Sequence, residues 1–151
     1  MTAGADGNPR LHARLEALLE LWRARYGSAP LPERSRFGPD ELAPWAAHVA
    51  WIERTVDDRF RVKSFGLELI RRFGREATNH FVEDLALDIA TGLRKRLQKA
   101  LETRAPVSGR VTIAFGRQSA EFSDLVLPLA AGPSGPNRFL VASYELRAPE
   151  M

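Results

Sequence analysis

The chain has no cysteine, which excludes disulfides, thiolate metal sites and thiol nucleophiles. It has no apolar run long enough to cross a membrane. The opening MTAGADGNPR lacks the apolar core of a secretory signal, so a cytoplasmic protein is expected. Charge of one sign is scarce as well. In 151 residues, 22 basic side chains face 19 acidic ones, and a net charge of +3 does not by itself imply nucleic acid. A nucleophile elbow, a Gly-rich phosphate loop and a zinc motif are all missing, so enzyme readings start weak. What remains is 44% hydrophobic and 27% charged, the balance of an ordinary folded domain.

Residues 1–9 are small, polar and Gly-rich, and read as a disordered tail. Residues 10–27 read as an amphipathic helix, in which Leu11, Leu15, Leu18, Leu19 and Trp22 form one stripe ending near Gly27. Residues 28–39 are a Pro-rich connection, and residues 40–147 read as the main domain. There Asp40 is expected to cap a short helix running through Trp45, with Pro44 limiting its length. Val49–Arg54 and Phe60–Phe65 read as two strands around a turn at Val56–Arg59. Val49 and Trp51 oppose Ala50 and Ile52, and Phe60, Val62 and Ser64 alternate with Arg61, Lys63 and Phe65.

The second strand runs straight into a short helix, Leu67–Phe73, which stops at Gly74. A helical turn is expected at Phe81–Leu85, then a long helix, Asp88–Thr103, with the stripe Ile89, Leu93, Leu97 and Leu101. On that helix Arg94, Lys95, Arg96, Gln98 and Lys99 are assigned to the outer surface. Three strands come next, around Val111–Phe115, Glu121–Leu129 and Phe139–Tyr144. GRQS is the tight turn and AAGPSGPN the looser one. Two strands, a run of helices and three strands make an α+β pattern. Its natural solution is one five-stranded antiparallel sheet with helices on one face. The N-terminal helix is left for the other face or for a partner.

Several segments resemble small stand-alone bacterial PAS-type proteins of the alphaproteobacterial kind. WIERTVDDRFRVKSFG is similar to their first hairpin, and LELIRRFGRE to their short helix. LRKRLQKALETRAPVSGR is similar to their long helix, and DLVLPLAAGPSGPNRFLVASYE to their last two strands. The resemblance implies a first strand lying mid-sheet beside the last. It also implies signal sensing, dimerisation or binding to an unidentified signalling protein, without intrinsic catalysis. A ligand would lie between the sheet and its helical cover. Covalent flavin and covalent chromophore chemistry in such proteins need a cysteine, and haem usually takes a histidine from the long helix. This chain has neither residue at those places. No cofactor is therefore assigned, and an unknown small molecule stays open.

The candidate pocket residues are Trp51, Phe65, Leu69, Phe73, Phe81, Leu93 and Leu97, although such stripes are what the plain core of any α+β domain needs, and that reading is preferred. His80 and Asp84, four apart, could meet a metal but read better as cap and surface residues. Arg71, Arg72 and Arg75, with Arg94, Lys95, Arg96 and Lys99, could form a basic patch. With no aromatic platform or nucleic-acid motif, it reads as a solvated face. Leu11, Leu15, Leu18, Leu19 and Trp22 are expected to mediate a homodimer, with an intramolecular lid as the other solution. The rival reading is a cone-like α+β small-molecule binding protein or enzyme. It needs His48 or His80 to converge with Asp84 or Asp124.

Overall fold

The computed structural model describes residues 11–26, 31–73, 77–85, 87–130 and 136–146. The expected tail at 1–9, the stops at Gly27 and Gly74, and most of the AAGPSGPN turn lie outside the described residues. Among the described residues there are four α-helices: α1 (Ala13–Tyr26), α2 (Pro39–Leu42), α3 (Leu67–Phe73) and α4 (Leu87–Thr103). Five strands join them: β1 (Val49–Arg54), β2 (Phe60–Phe65), β3 (Val107–Phe115), β4 (Gln118–Ala130) and β5 (Pro136–Glu145). The strands form one antiparallel sheet in the order β2-β1-β5-β4-β3, with β1 mid-sheet beside β5.

Both turns have local causes. Thr55 N–H donates to Arg59 O at 2.7 Å, and Asp58 takes the left-handed conformation at φ 65° to close the β1–β2 hairpin. Gly116, at φ 63°, serves the two-residue turn between β3 and β4.

The sheet is covered on both faces. Ala50, Ile52, Phe60, Val62, Val126, Phe139 and Val141 face α3 and α4, where they meet Leu69, Leu93, Leu97 and Ala100. Val49, Leu125, Leu127, Leu129, Leu140 and Tyr144 face α1 and meet Leu15, Leu18 and Trp22. Alternate residues of β4 therefore serve two cores, and every residue from Phe122 to Leu129 is buried. Trp22 fixes the lid through its indole N–H, which donates to Pro128 O at 3.0 Å. Pro128 lies beyond the start of β3, on the unpaired side of β4, where its missing N–H costs no ladder bond. The Pro-rich connection also packs. Leu31 and Phe37 are buried in the α1 core, and Ala130 N–H donates to Pro32 O at 2.9 Å.

Two local expectations need correction. Asp40 is not the cap of α2. Gly38 precedes Pro39 there, and its N–H donates to the Glu41 carboxylate at 3.2 Å. The chain continues as a 3-10 helix from Ala43 to His48, which tolerates Pro44 near its start. The strict alternation of β2 also fails. Trp51 pairs with Ser64, but Ile52 pairs with Val62, which leaves Lys63 as an extra residue. The bulge reverses the facing of the strand beyond Lys63, so Phe65 turns to the same side as Phe60 and Val62.

Candidate functional site

Between the sheet and the α3–α4 cover lies a cavity of about 50 Å³. Its apolar wall includes Phe65, Leu69, Ile89, Leu93, Phe122 and Val141. One end is polar. Asp124 of β4 is 8% exposed, and Arg96 of α4 donates to its Oδ2 at 2.9 Å. The same pair is an ion pair whose side chains are 13% and 12% exposed. Arg72 of α3 donates to the Ser143 hydroxyl at 2.6 Å and to the Ser143 carbonyl at 3.3 Å. Its guanidinium also lies 3.9 Å from the centre of the Phe122 ring. Ser143 stands directly opposite Asp124 on β5.

Three elements bring this cluster together. Arg96 shares the inward face of α4 with Ile89 and Leu93, and it crosses the backbone of β3 at Gly109, the direct partner of Asp124. A Cβ on Gly109 would stand 3.0 Å from Arg96 Cδ, and one on Gly92 would stand 3.4 Å from its Nη1. The guanidinium thus runs through a slot between two glycines. Burial pushes the Asp124 carboxyl above its ordinary range, while Arg96, Ser143 and Arg72 pull it back. Burial also lowers Arg72, opposed by Asp124, Glu145 and Glu68. Two buried polar atoms of the cavity wall have no hydrogen bond: Asp124 Oδ1 and Arg96 Nε.

On the opposite sheet face, Tyr144 is stacked between two histidines. Its ring centre is 4.9 Å from that of His12 and 4.1 Å from that of His48. His12 N–H donates to the Ser123 hydroxyl at 3.3 Å, which anchors the start of α1. Ser123 pairs with Tyr144 across the ladder, one residue along from the Asp124–Ser143 pair.

The candidate pocket residues divide. Phe65, Leu69 and Leu93 line the cavity. Leu97 is fully buried in the same core, one turn further along α4. Trp51 is on the α1 side of the sheet, with the Arg34 guanidinium 4.2 Å from its ring centre. Phe81 is also away from the cavity, its ring covered by Arg59 at 3.7 Å and Arg61 at 5.0 Å. The side chain of Phe73 lies outside the described part. Of the interface candidates, Leu15, Leu18 and Trp22 are buried within the chain, while Leu11 and Leu19 are half-buried at the lid's margin.

The solvated basic face is found only in part, with Lys95 and Lys99 exposed. Arg96 and Arg72 turn inward, Arg94 pairs with Glu83 at 2.9 Å and Arg71 with Glu68 at 3.2 Å. Arg75 lies outside the described residues. His80 and Asp84 are both exposed, and among the described residues no three metal-ligating side chains cluster. The Asp–His pair of the rival enzyme is not assembled, since Asp124 faces Arg96 and His48 faces Tyr144. Arg72, Arg96, Asp124 and Ser143 were all missed as site residues. The available signal was a lone carboxylate in the apolar run FSDLVLPL, in phase with Phe122 and Val126, and an arginine seven residues after Ile89.

No curated protein matches this chain. Solved structures do. A light-oxygen-voltage domain studied with a flavin analogue superposes at TM-score 0.54 with 8% identity, over 72% of this chain and 83% of that one. A fungal light-oxygen-voltage photoreceptor gives 0.52 with 13% identity, over 89% and 92%. A PAS domain from Colwellia psychrerythraea gives 0.51 with 10% identity, over 71% and 95%. At such identities the likeness is one of fold. The PAS domain profile matches residues 10–142, so it takes in the lid α1, strands β1 to β4, β5 as far as Ala142, and most of the cavity wall, though not Ser143. The chain therefore belongs to the PAS domain family.

Proposed function

We propose that this protein is a sensory or adaptor module that holds a small molecule in the cavity between the sheet and α3–α4, and reports it to a signalling partner. The observation that carries the reading is the cavity itself, with a buried ionic cluster at one end of an apolar chamber. An apolar core rarely keeps such a cluster for stability alone, because desolvating both charges costs about as much as their attraction returns. The reading assigns no reaction to the chain. It places the protein in the cytoplasm. Among the described residues no helix is long and apolar enough to cross a membrane.

The flavin analogue studied in one of the light-oxygen-voltage domains is not proposed for this chain. The chamber of about 50 Å³ is on the order of a few water-sized volumes, far below an isoalloxazine ring. Arg96 and Asp124 also close its polar end. Self-association remains part of the proposal in altered form. Leu15, Leu18 and Trp22 serve the chain's own sheet, so a second copy would use the outer side of α1 around Leu11 and Leu19.

Native mass spectrometry of gently purified protein tests the reading, followed by release of any retained compound on denaturation. One small molecule per chain is the expected result. Protein that emerges empty and takes up no small probe, polar or apolar, overturns it.

A further inference from the structure

We infer that the groove between the Pro-rich connection, α2 and β1 is a second binding site, and that it takes a small aromatic carboxylate. The groove holds about 760 Å³, within the roughly 300–1,000 Å³ of small-molecule sites. It lies on the α1 side of the sheet, across from the core chamber. Among the described residues only Phe65 belongs to both linings. The site goes beyond the reading above and does not need the chamber to be filled.

The floor of the groove is apolar. Phe37, Leu42 and Val49 are buried members of the α1-side core, and Trp51 stands half-buried beside them. Arg34 and Arg138 add two guanidinium groups to the wall, and among the described residues no carboxylate lines it. Both arginines are exposed, and among the described residues neither forms an ion pair. Three carboxylates of the same segments are engaged elsewhere. Glu33 accepts from the Ser35 hydroxyl at 3.4 Å, and Glu41 pairs with Arg25. Glu53, opposite Arg138 across the ladder, pairs with Lys63 at 3.9 Å.

Geometry and charge then select the class. The Arg34 guanidinium lies 4.2 Å from the centre of the Trp51 ring. Stacking occupies its face and leaves the N–H edge for a ligand. A guanidinium held in that way is already oriented for a two-pronged bond to a carboxylate. Its backbone is held too, because Ala130 N–H donates to Pro32 O at 2.9 Å just before the 3-10 turn Arg34–Arg36. A cation would meet two like charges. A neutral ring would gain nothing from them. A bare inorganic anion would leave the apolar floor uncovered, and contacts to exposed charges alone are weak in water. A carboxylate on a ring uses both parts of the wall. The aromatic side chains of Phe37, Trp51 and Phe65 favour a flat aromatic body over a flexible chain.

The indole N–H signals of the full chain test this by NMR at pH 7. Two of the three indoles are tied elsewhere, Trp22 to Pro128 O at 3.0 Å and Trp45 to Arg14 O at 2.8 Å, so Trp51 is the reporter. The probes are 2-naphthoate, 2-naphthamide, 2-naphthylmethylammonium and inorganic phosphate. Naphthoate should move the Trp51 signal in a saturable way and leave those of Trp22 and Trp45 in place. The amide and the ammonium should bind about fivefold more weakly or worse, and equimolar phosphate should not displace naphthoate. Arg34→Gln and Arg138→Gln, both at exposed positions, should each weaken naphthoate about threefold with the thermal midpoint unchanged. The inference is overturned if millimolar naphthoate leaves Trp51 unmoved, if the amide or the ammonium matches it, if phosphate competes on equal terms, or if both variants bind like the parent. Shifts at the amides of Asp124 and Val141 in place of Trp51 would put the ligand in the chamber and overturn it too. Failure here leaves the chamber reading standing, and an empty chamber leaves this site standing.

Discussion

Arg96 reaches Asp124 because Gly109 has no side chain in its path. At the scale of single residues, the pair should behave as a unit. Arg96→Met alone leaves a buried carboxylate, and Asp124→Leu alone leaves a buried guanidinium, each at a cost of about 3–5 kcal/mol. The double variant should cost far less than the sum, and urea denaturation of the four proteins measures the coupling. An additive cycle would mean that the two groups do not depend on each other. His48 gives a second residue-scale prediction. Burial lowers it from its ordinary 6.5, with Arg72, His12 and Arg14 adding to the effect and Glu68 opposing it. The folded state thus prefers the neutral ring, and the unfolded chain takes up the proton more readily. His48 therefore contributes stability that is complete above about pH 6.5 and is lost as the pH falls below it. The thermal midpoint should drop between pH 7 and 5, and His48→Gln should flatten that limb.

At the scale of elements, the joint between β2 and α3 depends on Gly66. Its N–H donates to Val49 O at 2.9 Å, and its carbonyl accepts from Leu69 and Ile70, each at 3.0 Å. A Cβ there would stand 2.4 Å from the Ala47 carbonyl oxygen, an atom of fixed backbone. Gly66→Ala should therefore cost about 1–3 kcal/mol or more, read as a lower urea midpoint. Most elements were legible in the sequence because their periods are clean. Phe60–Phe65 and Leu67–Phe73 fall where their patterns place them. The aim of Phe65 was not legible, because one extra residue at Lys63 reverses the alternation and only the partner strand reveals it. Arg96 was misplaced for a related reason. A basic residue near an apolar stripe defaults to solvent unless its partner is known, and that partner lies 28 residues away on another element.

At the scale of the whole molecule, α1 is a lid over one face of the sheet before it can be anything else. Trp22→Ala should cost about 3–5 kcal/mol, with the Pro128 carbonyl left without its donor. The paired change Leu18→Ala with Trp22→Ala should consequently lower stability rather than yield an intact monomer. A dimer, if it forms, should instead respond to Leu19→Glu at the half-buried outer margin, with no large loss of thermal midpoint. Sedimentation of parent and variant measures this. A parent that is monomeric at high micromolar concentration removes self-association from the proposal. The antiparallel sheet followed from the pattern of the chain and the place of its first strand from the family resemblance, whereas the cover of the second face by α1, rather than by a second copy, was left open. The volume of the chamber and the meeting of α3, α4, β4 and β5 at its polar end could not be inferred, because they are set by packing between segments far apart in sequence.

Ser123 and Asp124 are joined by one peptide bond yet work on opposite sides of the sheet. One holds the first turn of α1 through His12, and the other holds α4 through Arg96. Their cross-strand partners, Tyr144 and Ser143, repeat the arrangement. The thickness of a single strand is thus all that separates the buried chamber from a helix lying on the surface. Whatever loosens the grip on Asp124 should be felt first where the lid begins. The amides of Leu15 and Glu16, both bonded to His12 O, should then exchange faster in Asp124→Leu than in the parent, while those near Trp22 keep their pace. Chemical occupancy would in that way become a mechanical event at the protein's own edge.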